Sequence, residues 1–275
     1  MFPITFVTRR DQEAAAGRLG VPVAVIKAVT AVEARGSGFI KGTDLPLILF
    51  EGHHFHKLTG GRFDRHAPHV SYPKWTKAHY KGGRGEYDRL TDALALVPED
   101  AEPALQSTSW GMFQIMGFNC EAAGHPSATA MVNAFSTGEG AQLDGFVSFV
   151  LSNPKMAAAL RSEDWADFAR RYNGPGFEQN QYDRKLVTEF VKSKRALAEE
   201  GAGDRLTLER GDMAALQAAL NMELRVGLVV DGWIGAKTKA ALIQYQEREG
   251  LTCTGEPDRD TCARLGLDLS CYEGE

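Results

Sequence analysis

The sequence predicts a mostly α-helical protein with a large N-terminal domain and a small three-helix domain at the C-terminal end. Apolar residues recur at three- and four-residue steps through much of the chain, which is the periodicity of amphipathic helices. A polar, glycine-rich stretch near residue 200 follows a long helix pattern and is typical of a linker. An internal repeat follows it. We therefore divide the chain into a domain over 1–200, a linker over 201–210 and a domain over 211–275.

The helices of the larger domain are predicted from caps, breakers and apolar spacing. Asp11 is predicted to cap a first helix that ends at Gly20, and Pro22 suits the first turn of a second helix that leads to Glu33. Residues 59–88 are rich in glycine, histidine and basic residues, so we expect a long irregular segment there. Further helices are predicted over 91–97, 99–106, 112–123, 127–135, 138–152, 154–161, 163–172 and 179–199.

The C-terminal repeat has two units with an offset of 23 residues. Gly227, Gly232 and Thr238 of the first unit correspond to Gly250, Gly255 and Thr261 of the second. Each unit predicts a glycine turn, a threonine helix cap and an amphipathic helix. Another helix pattern precedes the first unit. Since two such short units cannot bury a core separately, we expect all three helices to pack as one module.

Composition excludes some classes of function. The formal net charge of -5 argues against nucleic acid as a partner, because phosphate-binding surfaces are normally basic. No apolar run is long enough to span a bilayer, and the N-terminus lacks the features of a secretory signal. We therefore expect the chain to be made in the cytoplasm. The four cysteines, Cys120, Cys253, Cys262 and Cys271, lack the spacing of a zinc site and are expected to be small apolar fillers, with one disulfide in the tail as the open alternative.

One residue is suited to breaking a glycosidic bond. This chemistry needs a carboxylic acid that stays protonated near neutral pH and can donate to the leaving oxygen. Ile26, Val29 and Thr30 precede Glu33 by seven, four and three residues and share its helix face. Apolar neighbours disfavour the charged form of a carboxyl group and so raise its pKa. We predict Glu33 as a general acid, and the alternative is a solvated glutamate at a helix end.

Glu33 lies in the first of several motifs with a fixed order. Residues 32–39 read VEARGSGF, residues 109–119 read SWGMFQIMGFN, and residues 169–175 read ARRYNGP. Residues 48–55, 58–64, 141–143 and 182–183 add to the match. On these motifs, residues 1–199 resemble the N-acetylmuramidase domain of phage endolysins, which is related to goose-type lysozymes and lytic transglycosylases.

This resemblance implies a lysozyme-like helical fold and a sugar-binding cleft. It implies that Glu33 is the general acid. The residues it places along the cleft are Ser109, Gly111 and Gln114, and those it places against a sugar N-acetyl group are Tyr172 and Asn173.

The second catalytic group has two candidates. An inverting hydrolase needs a carboxylate across the sugar, about 6.5–9.5 Å from the acid, to activate water. Glu51 and Asp44 both follow the Glu33 helix, and we favour Glu51 because it lies in the motif FEGH. A structural carboxylate paired with Arg35 or a histidine is the alternative for Glu51. A lytic transglycosylase needs no base, so that chemistry is favoured if no second acid faces Glu33.

A cluster of histidines allows a zinc-dependent alternative. The histidines concerned are His53, His54, His56, His66, His69 and His79. Their spacing differs from His-Glu-x-x-His, and adjacent histidines point in different directions in any regular element. We therefore predict neither a metal nor a cofactor, and we expect the histidines to hydrogen-bond sugar or backbone groups.

The C-terminal region resembles the peptidoglycan-binding module of cell-wall hydrolases. The match covers about 211–267 and includes the pattern Asp-Gly-x-x-Gly-x-x-Thr from Asp231 to Thr238. The resemblance implies that bacterial peptidoglycan is the partner. It suggests Asp231, Trp233, Tyr245 and Gln246 as residues that line a shallow ligand groove. A small bundle that docks the enzyme or a second subunit is the alternative.

Together these features predict a monomeric endolysin that hydrolyses the β-1,4 bond between N-acetylmuramic acid and N-acetylglucosamine. The small domain is expected to raise the local substrate concentration by tethering the enzyme. A holin-type membrane lesion is expected to release the protein from the host cytoplasm to the cell wall. The alternatives are a lytic transglycosylase, a zinc-dependent wall amidase or peptidase, and a structural wall-binding protein.

Overall fold

Helices form most of the structure, as the sequence predicts. The computed structural model describes residues 5–33, 37–201 and 206–272. Positions 34–36 of the Glu33 motif and positions 202–205 of the predicted linker lie outside the described residues. Contacts within the chain define two units. The first contains Val29–Leu186, and the second combines Thr5–Ala28 with Val187–Glu275. The domain boundaries at 200 and 210 stay a prediction.

The elements follow one another along the chain with few strands. The N-terminal helices and first strand are α1 (Arg9–Leu19), α2 (Val23–Glu33), β1 (Ile48–Phe50) and α3 (Gly52–Leu58). Next come α4 (Arg84–Leu96), α5 (Glu102–Gln106), β2 (Thr108–Trp110), β3 (Ile115–Met116), α6 (Ala128–Phe135), α7 (Glu139–Ser152), α8 (Pro154–Arg161), α9 (Trp165–Asn173) and α10 (Tyr182–Gly201). The last helices are α11 (Arg210–Leu224), α12 (Ala236–Glu249) and α13 (Arg259–Arg264).

The first unit holds a small antiparallel sheet with the order β1-β2-β3. Leu49 of β1 pairs with Ser109 of β2, which in turn pairs with Met116 of β3. The core beside the sheet is rich in aromatic residues because α7 and α9 bury Phe146 and Phe168 completely. Phe113, in the turn between β2 and β3, stacks on Phe146 with ring centroids 4.4 Å apart. The sheet and the helices therefore share one core.

The helix predicted over 112–123 is wrong. In its place the chain forms a turn over 111–114, strand β3 and a short 3-10 helix over Gly117–Asn119. Gly111 has a φ of 71°, and Gln114 has a φ of 49°, so both lie in the left-handed region that an α-helix excludes. Met112, Phe113 and Ile115 are buried, but they belong to a hairpin and not to a helix.

The second unit contains the predicted three-helix module, α11 to α13, which confirms the expected packing. Its core includes Leu216, Leu220 and Leu242, all fully buried. Residues from the N-terminal part of the same unit bind the start of α11. The amide of Gly211 donates to the carbonyl of Val7 at 2.8 Å. Several side chains add polar contacts between these segments: Gln12 and Lys27 bind Glu209, and the Arg9 amide donates to Asp212.

Two capping predictions are wrong. Helix α1 is capped by Thr8, and Asp11 instead accepts hydrogen bonds from the Thr8 amide and hydroxyl as the partner in a capping box. Thr238 and Thr261 lie inside α12 and α13, where Gln217 and Gln246 donate hydrogen bonds to their hydroxyl oxygens. Each repeat therefore uses its threonine as a buried acceptor and not as a helix cap.

Hydropathy gives little indication of a membrane span. Within the described part of the chain, every individual helix is too short or too polar to cross a bilayer. Helices α1 and α2 together meet the criteria of length and composition, but they are bent by 110° at the break between them.

Candidate active site

Glu33 is the last residue of α2, and its side chain is half-buried. Val29, one turn earlier on the same face, is fully buried, as is Ile26. Asn173 lies at the end of another helix, α9, and its side-chain amide nitrogen is 3.4 Å from the Glu33 carboxylate as a hydrogen-bond donor. The structure therefore brings together two residues that the sequence predicted for the site, each placed by a helix terminus.

Tyr172 links α9 to the hairpin between β2 and β3. Its hydroxyl donates to the carbonyl oxygen of Phe113 at 2.7 Å, and its ring stacks on Phe168. Burial, together with the nearby Glu33 carboxylate, raises the pKa of Tyr172 well above its ordinary value. The hydroxyl therefore stays protonated and donates to the hairpin backbone. A contact between Tyr172 and a sugar N-acetyl group stays a prediction.

The hairpin gathers the three predicted cleft residues. The Ser109 hydroxyl donates to the side-chain oxygen of Gln114 at 3.0 Å, and the Gln114 amide donates to the carbonyl of Gly111 at 2.8 Å. The same Gln114 amide also reaches the carbonyl of Leu47 at 3.2 Å. Gln114 has a left-handed backbone although it is not glycine, and such strain is often found at functional sites.

Two buried polar residues of α7 hold the segment that follows Glu33, and neither was predicted from the sequence as a site residue. Glu139 is 1% exposed and accepts hydrogen bonds from the Ser37 hydroxyl at 3.1 Å and the Gly38 amide at 3.0 Å. Gln142 is fully buried and accepts a hydrogen bond from the Met112 amide at 2.7 Å. The two side chains thus position both the Glu33 segment and the hairpin.

A signal for these residues was present in the sequence. Glu139 and Gln142 fall on the face of the predicted helix that also carries Leu143, Phe146 and Val150. A charged residue on an apolar face rarely lies in a core unless it has partners. That combination predicts a buried polar contact, although it does not identify the partner.

Glu51 belongs to a second polar cluster at the end of β1. Its carboxylate accepts a hydrogen bond from the Tyr80 hydroxyl at 2.7 Å and lies 3.3 Å from Nδ1 of His53. Its amide donates to the carbonyl of Ser107, which continues the ladder of β1 and β2. Because side chains alternate along a strand, Glu51 lies on the same sheet face as Ser109.

Burial is the main influence on the ionisation of Glu51. It raises the pKa of this carboxyl, and the Tyr80 hydrogen bond and the Arg89 charge partly offset that effect. Arg89 itself is completely buried and pairs with Glu86 at 2.8 Å. Asp44, the other predicted base, is exposed. The environment of Glu51 therefore suits an acid-base group better than that of Asp44.

Four of the predicted histidines, His53, His54, His56 and His69, contact carboxylates or each other. His56 lies 2.8 Å from Asp64, and His69 lies 3.0 Å from Asp92. The rings of His53 and His54 are 4.1 Å apart, and burial lowers the pKa of His54 to about 4. Among the described residues, no three His, Cys, Asp or Glu side chains form a group that could hold a metal ion.

The predicted ligand residues of the C-terminal module differ in exposure. Trp233 is 56% exposed, and the Arg210 guanidinium lies 5.2 Å from the centre of its ring. Asp231 is half-buried and accepts hydrogen bonds from Gln217 and from the Trp233 amide. Tyr245 and Gln246 are buried, which argues against direct contact between these two side chains and a wall polymer. A ligand-binding role for the four residues stays a prediction.

Comparisons with known proteins cover both parts of the chain. The N-acetylmuramidase family matches residues 22–194, and a peptidoglycan-binding domain family matches residues 209–265. Among solved structures, the crystal structure of an endolysin from Burkholderia phage AP3 is similar, with a TM-score of 0.64 and 40% sequence identity. That match covers 70% of this chain and 72% of the endolysin chain. No match was found among curated proteins.

Proposed function

Because the chain belongs to the N-acetylmuramidase family, we propose that it cleaves the β-1,4 bond between N-acetylmuramic acid and N-acetylglucosamine, with Glu33 as the general acid. The chain is a glycoside hydrolase with muramidase activity, and it is a peptidoglycan-degrading endolysin. The specific bond and the role of Glu33 are the proposal. The observation that supports the proposal is the hydrogen bond from the Asn173 amide to the Glu33 carboxylate. It joins the ends of α2 and α9 beside the hairpin that Tyr172 binds.

The proposed reaction begins with protonation of the leaving oxygen. Glu33 donates its proton to the glycosidic oxygen as the bond to the anomeric carbon breaks, which leaves a carboxylate on the enzyme and positive charge on the sugar ring. Asn173 holds the carboxyl group in place through its amide. Glu139 fixes the backbone that follows Glu33 through Gly38. A group held in this way is positioned before the substrate arrives, which lowers the entropic cost of the transition state.

We assign Glu51 to the activation of water. As a base it must be ionised, and it would take a proton from the water that attacks the anomeric carbon. The Tyr80 hydroxyl stabilises the charged form by donating to Oε2. Burial acts in the opposite direction and raises the pKa of Glu51, which makes this carboxylate a stronger base than an exposed one.

The experiment is the substitution Glu33→Gln, which keeps the size of the side chain and removes the acid. We expect the release of muropeptides from purified sacculi to fall about 10²- to 10⁴-fold, the usual contribution of general acid catalysis. Glu121→Gln, at an exposed glutamate of the same unit, is the matched control and should retain activity. Circular dichroism should show an unchanged fold, and sedimentation with sacculi should show unchanged binding.

Mass spectrometry of the wild-type products tests the bond and the reaction type. A hydrolase gives reducing N-acetylmuramic acid ends, whereas a transglycosylase gives anhydro ends. Reducing ends on N-acetylglucosamine or cleaved stem peptides would contradict the proposed bond. Full activity of Glu33→Gln would contradict the proposed acid.

The C-terminal module is proposed to hold the enzyme on peptidoglycan through Trp233 and Asp231. Retention on a polymer raises the effective concentration of substrate without any change in the active site. We further propose that the protein acts as a monomer after a holin-type lesion releases it from the host cytoplasm.

A further inference from the structure

A strongly basic segment interrupts a chain that is acidic overall. Between residues 57 and 84 there are seven Lys and Arg residues and one acidic residue, Asp64, whereas the whole chain has a net charge of -5. We call residues 57–84 the cationic segment. Its basic residues are Lys57, Arg62, Arg65, Lys74, Lys77, Lys81 and Arg84. The proposed chemistry at Glu33 uses none of them.

The positive charges of the cationic segment are free to act on a partner. All seven basic side chains are exposed. None of the seven forms an ion pair with any described residue, whereas many other cations of the chain do, among them Lys27, Arg89 and Arg248. The one acidic residue, Asp64, accepts hydrogen bonds from Ser71 and His56. The segment therefore presents uncompensated positive charge to solvent.

The backbone of the cationic segment is held by buried polar contacts. The amides of Lys81 and Gly82 both donate to Glu86, which is fully buried. The Tyr80 hydroxyl donates to Glu51, so the segment adjoins the proposed water-activating carboxylate. A fixed backbone places the charges before a partner binds, which reduces the entropy lost on binding.

An exposed aromatic residue lies among these charges. Trp75 is 57% exposed, and the Nζ of Lys77 lies 5.7 Å from the centre of its ring. Lys74 precedes it directly and is also exposed. An indole ring offers a flat apolar face, which suits the face of a sugar ring beside a charged group. The combination favours a polymer that contains both sugars and carboxylates.

We propose that the cationic segment is a second binding surface of the first unit, which captures the carboxylates of the peptidoglycan stem peptides on strands that enter the active site. The inference rests on peptidoglycan being the substrate. Stem peptides repeat carboxylates along the glycan, so a set of exposed cations can engage several at once. Opposite charge also speeds the encounter of enzyme and polymer and makes it sensitive to salt. The acidic C-terminal region, with 13 acidic and 8 basic residues in 201–275, is unsuited to this task.

The test compares two triple charge reversals in a Glu33→Gln background, so that binding is measured without digestion. One variant carries Lys74→Glu, Lys77→Glu and Lys81→Glu. The matched control carries Lys155→Glu, Lys185→Glu and Lys194→Glu, at exposed lysines outside the segment, and has the same net charge. We expect the segment variant to bind purified sacculi about tenfold more weakly at low salt, with little change for the control, because exposed ion pairs are individually weak but add up over several sites.

Further measurements identify the chemical group that the cationic segment binds. Amidation of the sacculus carboxylates should remove the difference between the two variants, and so should high salt, because it screens exposed charges. Trp75→Ala should weaken binding at high salt as well, since it removes an apolar contact. Vesicles of phosphatidylglycerol and phosphatidylcholine serve as the membrane probe, and we expect no selective loss of vesicle binding in the segment variant.

Three results would overturn the proposal. They are equal binding of sacculi by the two triple variants, an unchanged difference on amidated sacculi, and a selective loss of vesicle binding with sacculus binding intact. These results are distinguishable from an error in the Glu33 assignment. If Glu33 were not the general acid, the Glu33→Gln background would digest sacculi during the assay. Thermal unfolding of each variant shows whether a loss of binding comes from a loss of fold.

Discussion

Asn173 donates its side-chain amide to Glu33 across 3.4 Å, and so joins the final residues of two helices that are 140 positions apart in the chain. The distance is long for a hydrogen bond, which indicates a weak contact that orients the carboxyl group more than it stabilises the fold. Tyr172, the preceding residue, supplies the stability by its stacked ring and its bond to Phe113. Asn173 thus orients the carboxyl group of Glu33, and the adjacent Tyr172 stabilises the fold.

The first prediction concerns this contact. Asn173→Ala should lower kcat about 10- to 100-fold, because a misplaced catalytic group loses part of the benefit of orientation. The melting temperature should change little. Combined with Glu33→Gln, the substitution should cost little more than Glu33→Gln alone, since residues that act as a unit are non-additive. Asn133→Ala, at an exposed asparagine, is the control. Additive losses in the double variant would show that Asn173 does not act through Glu33.

The second prediction concerns pH. The Tyr80 hydrogen bond lowers the pKa of Glu51, so Tyr80→Phe should raise that pKa further above the ordinary range. If ionised Glu51 activates water, the acid limb of the profile of kcat/KM against pH should move to higher pH. Tyr87→Phe is the control, because the Tyr87 hydroxyl donates to the carbonyl of Pro46 and not to Glu51. An unmoved acid limb would remove Glu51 from the catalytic step.

The third prediction concerns stability. The folded protein raises the pKa of Glu51 above its ordinary value of 4.5, so the folded state binds this proton more tightly than the unfolded chain does. The stabilising contribution of the protonated group is therefore lost as pH rises from the ordinary value through the raised one. The glutamine of Glu51→Gln does not titrate, so this variant lacks the pH-dependent loss of stability. Its side-chain oxygen can still accept the Tyr80 hydrogen bond. Relative to wild type, the free energy of unfolding of Glu51→Gln should increase across that pH interval, as measured by urea denaturation. A constant difference would contradict the raised pKa.

The helices were predictable where one apolar face sufficed to define them. The patterns over 138–152 and 154–161 agree closely with α7 and α8 because the periodicity is local to each segment. The segment over 112–123 was misassigned because dense apolar residues suit any buried element. Its strand β3 pairs with β2 over two residues only, which is too short to show alternation, and β2 pairs in turn with β1, about 60 residues away in the chain. A non-local pairing of this kind leaves no periodic signal.

The candidate site was predictable only where its residues lie in sequence motifs. Glu33, Ser109 and Asn173 stand in such motifs. Asn173 binds Glu33, and Ser109 binds Gln114 in the hairpin that Tyr172 contacts. Glu139 and Gln142 act through backbone groups of residues about 100 and 30 positions away, at Gly38 and Met112. A sequence shows that such a residue is polar on an apolar face, but not which amide it binds.

The fourth prediction tests the close approach of Gly38 to Gln142. A Cβ on Gly38 would lie 1.9 Å from the side-chain oxygen of Gln142, which already accepts the Met112 amide. Gly38→Ala should therefore destabilise the protein by about 1–3 kcal/mol, as overpacking of a core does, and should lower activity. Gly17→Ala is the control, because nothing lies within 4 Å of that position in α1, and it should stabilise the protein by about 0.5–1 kcal/mol. Equal melting temperatures for the two variants would contradict the steric argument.

The fifth prediction separates fold from ligand binding in the C-terminal module. Gln246 is fully buried, accepts a hydrogen bond from the Gly255 amide at 2.9 Å and donates to Thr261, so Gln246→Ala leaves buried polar groups without partners. We expect a loss of about 1–3 kcal/mol in stability. Trp233→Ala removes an exposed ring and should change stability by about 0.5 kcal/mol or less, yet weaken binding to sacculi. Calorimetry and sacculus sedimentation measure the two effects. Should Trp233→Ala bind as tightly as wild type, the ligand surface of the module must lie on another face.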